Sequence, residues 1–107
     1  MNTAGRRVYA IGDIHGRADM LQRMIGMIAA DIAAHPDCRP LVITLGDYVD
    51  RGPASRRVLD LLSGNAFGVE YTPLRGNHEW MLQNFLETPT YGAHWRNFCG
   101  TETLHSY

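Results

Sequence analysis

The chain of 107 residues contains no lysine, and all ten of its basic residues are arginine. With eleven acidic residues the formal net charge is -1, so there is no global attraction to nucleic acid or to anionic lipid. The arginine-only usage carries no functional inference by itself. Cysteine is scarce: Cys38 and Cys99 stand far apart and form no CxxC motif. They fit free thiols in a reduced compartment better than a disulfide scaffold, although sequence alone leaves a bridge between them open. No apolar run is long enough to span a bilayer. After the segment Met1–Arg7, the apolar run Val8–Ile11 is too short for the hydrophobic region of a leader peptide. A cytoplasmic location follows by default. Linkers, low-complexity tracts and blocks of like charge are also absent. A content of 45% hydrophobic and 20% charged residues describes one small globular domain.

What the chain does have is one unit three times over: an apolar strand, a polar loop and an amphipathic helix. Arg7–Ile11 is predicted as the first strand. A helix is predicted over Ala18–Ala34, with Leu21, Met24, Ile25, Ile28 and Ile32 on its apolar face. Pro36 ends it, because proline lacks an N–H and restricts the residue before it. Leu41–Leu45 is almost continuously apolar and predicts a strand buried on both faces of a parallel sheet. Pro53 is placed to open a second helix through about Leu62, which Ser63-Gly64-Asn65 breaks. Val69–Leu74 predicts a third strand, with Pro73 suited to an edge or terminal position. A third helix is predicted over His78–Leu86 with Met81, Leu82, Phe85 and Leu86 inward, and a short one around Ala93–Phe98. Repeated strand–helix units imply parallel strands. Ligands bind such sheets at the carboxyl ends of the strands, and the loops that follow all three strands lie there.

Those loops carry the chemistry. Gly12–Gly16 reads Gly-Asp-Ile-His-Gly, and its spacing lets an Asp13 oxygen and a His15 nitrogen face one cation. The same pair also fits a helix-capping aspartate and an exposed histidine. Gly46–Gly52 reads Gly-Asp-Tyr-Val-Asp-Arg-Gly. Asp47 stands where Asp13 stands on its strand, and a carboxylate there can bridge two cations. Arg51 offers a planar fork of donors to phosphate; the plainer reading is a turn with a local Asp50–Arg51 ion pair. Arg75–Glu79 reads Arg-Gly-Asn-His-Glu. Asn77 offers an amide oxygen and His78 a titratable ring, and Asn77 also fits the N-cap of the third helix. His35, His94 and His105 are read as surface or packing residues, and Trp80 and Trp95 as packing anchors.

This ordered set of phrases resembles the calcineurin-like metallophosphoesterases, and more closely their phosphoprotein phosphatase branch. That branch includes serine/threonine phosphatases and symmetrical diadenosine tetraphosphatases. Gly100–Tyr107 also resembles bacterial members. The resemblance implies an α/β fold in which repeated β-loop-α units build part of an α/β/β/α sandwich. Residues 1–107 would be the N-terminal portion of a single domain whose second half is absent, leaving an apolar face for that half or for self-association. It further implies Asp13 and His15 as ligands of a first metal, Asp47 as the bridging carboxylate and Asn77 as a ligand of the second. Arg51 would bind phosphate, His78 would protonate the leaving oxygen, and Asp50 would pair with His78. The two ions would be drawn from manganese, iron and zinc. They would lower the pKa of a bridging water, so that hydroxide attacks phosphorus in line with the leaving group. The implied substrate is a phosphorylated molecule, phosphoserine or phosphothreonine in a protein or diadenosine tetraphosphate, with no nucleic-acid or membrane partner. The family places further metal-binding histidines on later strands, and this sequence lacks them. A non-catalytic fragment that binds metal or phosphate, and an α/β domain using the phrases only as turns, are the competing readings.

Overall fold

The computed structural model describes residues 5–97 and 99–107. The leader-peptide reading of Met1–Arg7 falls partly on residues 1–4, and the predicted helix end at Phe98 falls on residue 98; these lie outside the described residues. The strands are β1 (Arg6–Ile11), β2 (Arg39–Thr44) and β3 (Glu70–Pro73). Between them run α1 (Ala18–Ala34) and α2 (Ser55–Ser63), and after them come α3 (Asn77–Glu87), a 3-10 turn (Pro89–Tyr91), α4 (Gly92–Asn97) and α5 (Thr101–Ser106).

The sheet is parallel throughout in the order β1-β2-β3, with Val8 opposite Leu41 and Leu41 opposite Glu70. Parallel strands cannot be joined by a tight turn, so each connection takes a helix. All three strand-to-helix loops therefore leave from the same edge. Proline has no donor for a ladder, and Pro73 is the last residue of the edge strand β3. At the other end, α1 stops at Ala34 with His35 as its C-cap, one residue before Pro36.

Tyr9, Ile11, Val42 and Tyr71 face the helices. There they pack with Leu21, Ile28, Val58, Leu62 and Phe67 in one core. The opposite sheet face is open, which corrects the expectation of burial on both sides. Val8 is 44% exposed and Leu74 47% exposed, because among the described residues no second layer covers those alternating with the buried set. Met24 on α1 and Leu86 on α3 are likewise exposed rather than inward, and Trp80, read as a packing anchor, is half exposed with an edge contact to Tyr91. The second helix starts at Ser55 instead of Pro53. The Gly52 and Ala54 N–H groups donate to the carbonyls of His15 and Gly16 at 3.0 and 2.9 Å, which holds Pro53 in the preceding loop. Periodicity gave no sign of α5, since six residues are too few to display a helical stripe.

Cys38 and Cys99 are unbridged, and among the described residues no helix is long and apolar enough to cross a membrane. On β1 and α1, the Arg7 guanidinium (Nε 2.7 Å away) and the Tyr9 hydroxyl (2.5 Å) both donate to Asp31 Oδ2. The Arg7 hydrogen bond, then that from Tyr9, lowers the Asp31 carboxyl to about 2. A carboxyl held below its unfolded value of about 3.9 stabilises the fold fully above that value. The contribution is lost as pH falls through the folded pKa of about 2. Asp31→Asn should therefore flatten the acid limb of thermal stability between about pH 4 and pH 2; melts followed by circular dichroism would show an unchanged limb if the cluster did not matter.

Candidate active site

The loop after β1, the loop after β2 and the start of α3 meet at Asp47. Its carbonyl accepts from the N–H groups of Ile14 (3.0 Å) and His15 (2.9 Å). Its own N–H donates to Glu79 Oε1 at 2.5 Å. Its carboxylate Oδ1 accepts the His78 N–H at 3.1 Å. Close backbone approach makes this junction possible. A Cβ on Gly76 would collide with the Asp47 carboxylate and lie 2.5 Å from its backbone nitrogen, so only glycine fits there.

Four non-glycine residues here adopt left-handed backbone: His15 (φ 44°), Asp47 (58°), Asp50 (75°) and Arg51 (69°). Such conformations are costly, and they persist where surrounding contacts over-determine them. Four of the candidate site residues thus share this strained backbone.

Asp13, His15 and Asp47 each bring a ligand atom to within 4.8 Å of the others. His15 Nδ1 lies 2.9 Å from the Val49 carbonyl. A carbonyl only accepts, so Nδ1 carries the proton and Nε2 keeps its lone pair. Nε2 faces Asp13 Oδ2 at 3.6 Å. This is the arrangement by which an outer hydrogen bond prepares a histidine for a metal. Asn77 is the first residue of α3; Gly76 occupies the N-cap, so the capping role predicted for Asn77 is not the one it has. With its amide turned so that both groups are satisfied, Asn77 donates to Asp47 Oδ1 and Oδ2 at 3.0 and 3.2 Å; turned over, the same amide presents its oxygen there. The imidazole nitrogen and carboxylate oxygens of Asp13, His15 and Asp47, within 4.8 Å of one another, are a donor set that fits a divalent cation.

His78 adjoins this group, its ring 4.7 Å from that of His15 in an edge-on contact. His78 Nδ1 is 2.9 Å from Asp50 Oδ2, and both side chains are buried. Asp50 forms no ion pair with Arg51 among the described residues, which sets aside the local-pair reading. Arg51 is exposed and lines a cavity of about 540 Å³ with Gly16, Arg17 and Asp19.

Several supporting residues escaped the sequence reading. Glu79 accepts from the N–H groups of Asp47, Tyr48 (2.7 Å), Val49 (3.2 Å) and Gly76 (3.0 Å). One carboxylate thus organises the whole turn of the second phrase, in the manner of an anion in a nest of backbone donors. Its place in the third phrase was visible, but three of its four partners lie about thirty residues away. Tyr48 is buried and donates to the Leu74 carbonyl at 2.5 Å, so it braces the loop rather than meeting solvent. Trp95 and Thr103 reach Asp50 from the tail. Glu79→Gln would set an amide N–H against backbone donors. We expect a loss of about 1–3 kcal/mol for the groups left unpaired, read as a lower denaturant midpoint. An unchanged midpoint would show that the four contacts do not organise the loop.

Comparison with known proteins agrees with this geometry. The calcineurin-like phosphoesterase family matches residues 6–105. Serine/threonine-protein phosphatase 2 of Escherichia coli is 37% identical over 83 residues, which cover 78% of this chain and 34% of that protein. Serine/threonine-protein phosphatase 1 of Salmonella typhimurium is 38% identical over 76 residues, covering 71% and 31%. A symmetrical bis(5'-nucleosyl)-tetraphosphatase of Baumannia cicadellinicola is 40% identical over 79 residues, covering 69% and 23%. The chain thus spans about a third or less of the length of these curated relatives. A family match over nearly all its residues, with the candidate cation-ligand group at the carboxyl edge of its parallel sheet, makes this chain a member of the calcineurin-like phosphoesterase family.

Proposed function

We propose that this chain carries the N-terminal part of a dinuclear metal-dependent phosphoesterase domain acting on phosphoserine or phosphothreonine in proteins. The observation that carries the reading is the meeting of Asp13, His15 and Asp47 within 4.8 Å, beside the buried His78–Asp50 pair. Asp13, His15 and Asp47 would hold one cation, and Asp47 with Asn77 a second. The mixed oxygen and nitrogen donors suit manganese, iron or zinc. When bound, such ions supply Lewis acidity and lower the pKa of water toward neutrality.

The chain's own groups do the rest. His15 donates its Nδ1 proton to the Val49 carbonyl and so offers Nε2. Arg51 grips phosphate oxygens with its fork of donors. His78 donates a proton from Nε2 to the leaving oxygen, while Asp50 orients the ring through Nδ1 and stabilises its cationic form. The open sheet face would be covered by the remainder of such a domain or by a second copy, and the reading places the protein in the cytoplasm.

A second substrate reading, diadenosine tetraphosphate, is favoured by the symmetrical tetraphosphatase among the similar proteins. Hydrolysis of 4-nitrophenyl phosphate with added manganese tests the activity. Competition by a phosphopeptide or by diadenosine tetraphosphate then separates the substrates. A folded protein that binds manganese yet turns over no phosphate ester would leave a non-catalytic binding fragment instead.

A further inference from the structure

Asp50 is fully buried, and a carboxylate in that position must be satisfied by donors. Three donors reach its two oxygens. His78 Nδ1 and Trp95 Nε1 lie 2.9 and 2.8 Å from Oδ2. The Thr103 hydroxyl lies 2.6 Å from Oδ1. The same Thr103 oxygen accepts the Asp50 N–H at 2.8 Å and stands 3.0 Å from Ser55 Oγ. A hydroxyl has one proton. With that proton on Asp50 Oδ1, Ser55 must donate to Thr103, and every member of the network has a defined direction. Thr103 thereby clasps both the backbone and the side chain of a residue at φ 75°.

We infer that Trp95 and Thr103 are positioning residues for proton transfer: together they fix the rotation of the Asp50 carboxylate and hence the tautomer and aim of His78. The torsion that turns a carboxylate is soft. Indole on Oδ2 and hydroxyl on Oδ1 lock it, so that an Oδ2 lone pair stays directed at His78 Nδ1. The short helices α4 and α5 then belong to the reaction apparatus, joined to it through two hydrogen bonds. Packing alone would account for the burial of Trp95 against Phe85, whose ring is 4.9 Å away and nearly parallel. It would not require the indole N–H to end on the carboxylate that serves His78. This role rests on the proposed function of His78 as the acid.

Trp95→Phe keeps an aromatic ring, though a smaller one, and removes the N–H; Thr103→Val keeps the shape and removes the hydroxyl; Thr103→Ser restores the hydroxyl. With manganese present, the first two should lower kcat for phenyl phosphate, a poor leaving group, by roughly 10- to 100-fold. They should change 4-nitrophenyl phosphate far less, leave KM alone, and Thr103→Ser should recover most of the loss. Equal loss on both esters, or no loss, would overturn the assignment. Nitrogen-15 spectra of the histidine rings give a reading free of turnover. When neutral, the His78 ring should be locked as the Nδ1–H tautomer in the native chain, so that Nε2 gains its proton in the cationic acid form, and should be mixed in Trp95→Phe and Thr103→Val. A lock that survives both substitutions refutes the positioning role even if the chain is active. A lock lost in both, in a chain that hydrolyses neither ester, upholds the positioning and refutes the catalytic reading of this chain.

Discussion

Asp47→Asn should lower manganese-supported hydrolysis of 4-nitrophenyl phosphate by about a thousandfold or more, which corresponds to about 4 kcal/mol of transition-state stabilisation. The size follows from position. Asp47 is the one ligand shared by both proposed cations, and it lies where the three strand-end loops meet. Asparagine keeps the shape and the backbone bonds to Ile14, His15 and Glu79, so the fold should survive. It loses the charge, and its amide places a donor or a single acceptor where two anionic oxygens stood. Retained activity with native metal dependence would show that the phrase after β2 serves only as a turn.

His78→Asn should give the second largest effect, a loss of about 10²- to 10⁴-fold for esters with poor leaving groups. An activated leaving group needs little protonation, so 4-nitrophenyl phosphate should be hurt less than phenyl phosphate. Asparagine can still donate to Asp50, which limits the structural cost of removing a ring that is 3% exposed. A uniform loss across leaving groups would assign His78 to binding or to packing instead of proton transfer.

Much of the candidate site was legible because its proposed ligands occupy short phrases, each next to a strand end. A parallel sheet brings those ends to one edge, so Asp13, His15, Asp47 and His78 meet without help from sequence proximity. The apolar stripe of α1 was readable because seventeen residues show the helical period well. What could not be read depends on long-range partners. Glu79 looks like an ordinary first-turn acid until the loop holding Asp47 and Tyr48 is folded over it. Trp95 looks like a packing aromatic until its N–H is seen against Asp50. Thr103 lies in a helix too short to show a pattern. The burial of Leu41–Leu45 was overstated because a run of apolar residues does not say whether a second layer is present; here Leu45 is 50% exposed.

The central claim is that three separated phrases form one dinuclear cation site around Asp47, and manganese titration followed by electron paramagnetic resonance tests it most directly. The free-manganese signal should be depleted by the native chain and restored by Asp47→Asn, with both proteins shown to be folded by circular dichroism. Equal depletion by the two chains, or none by either, would contradict the account.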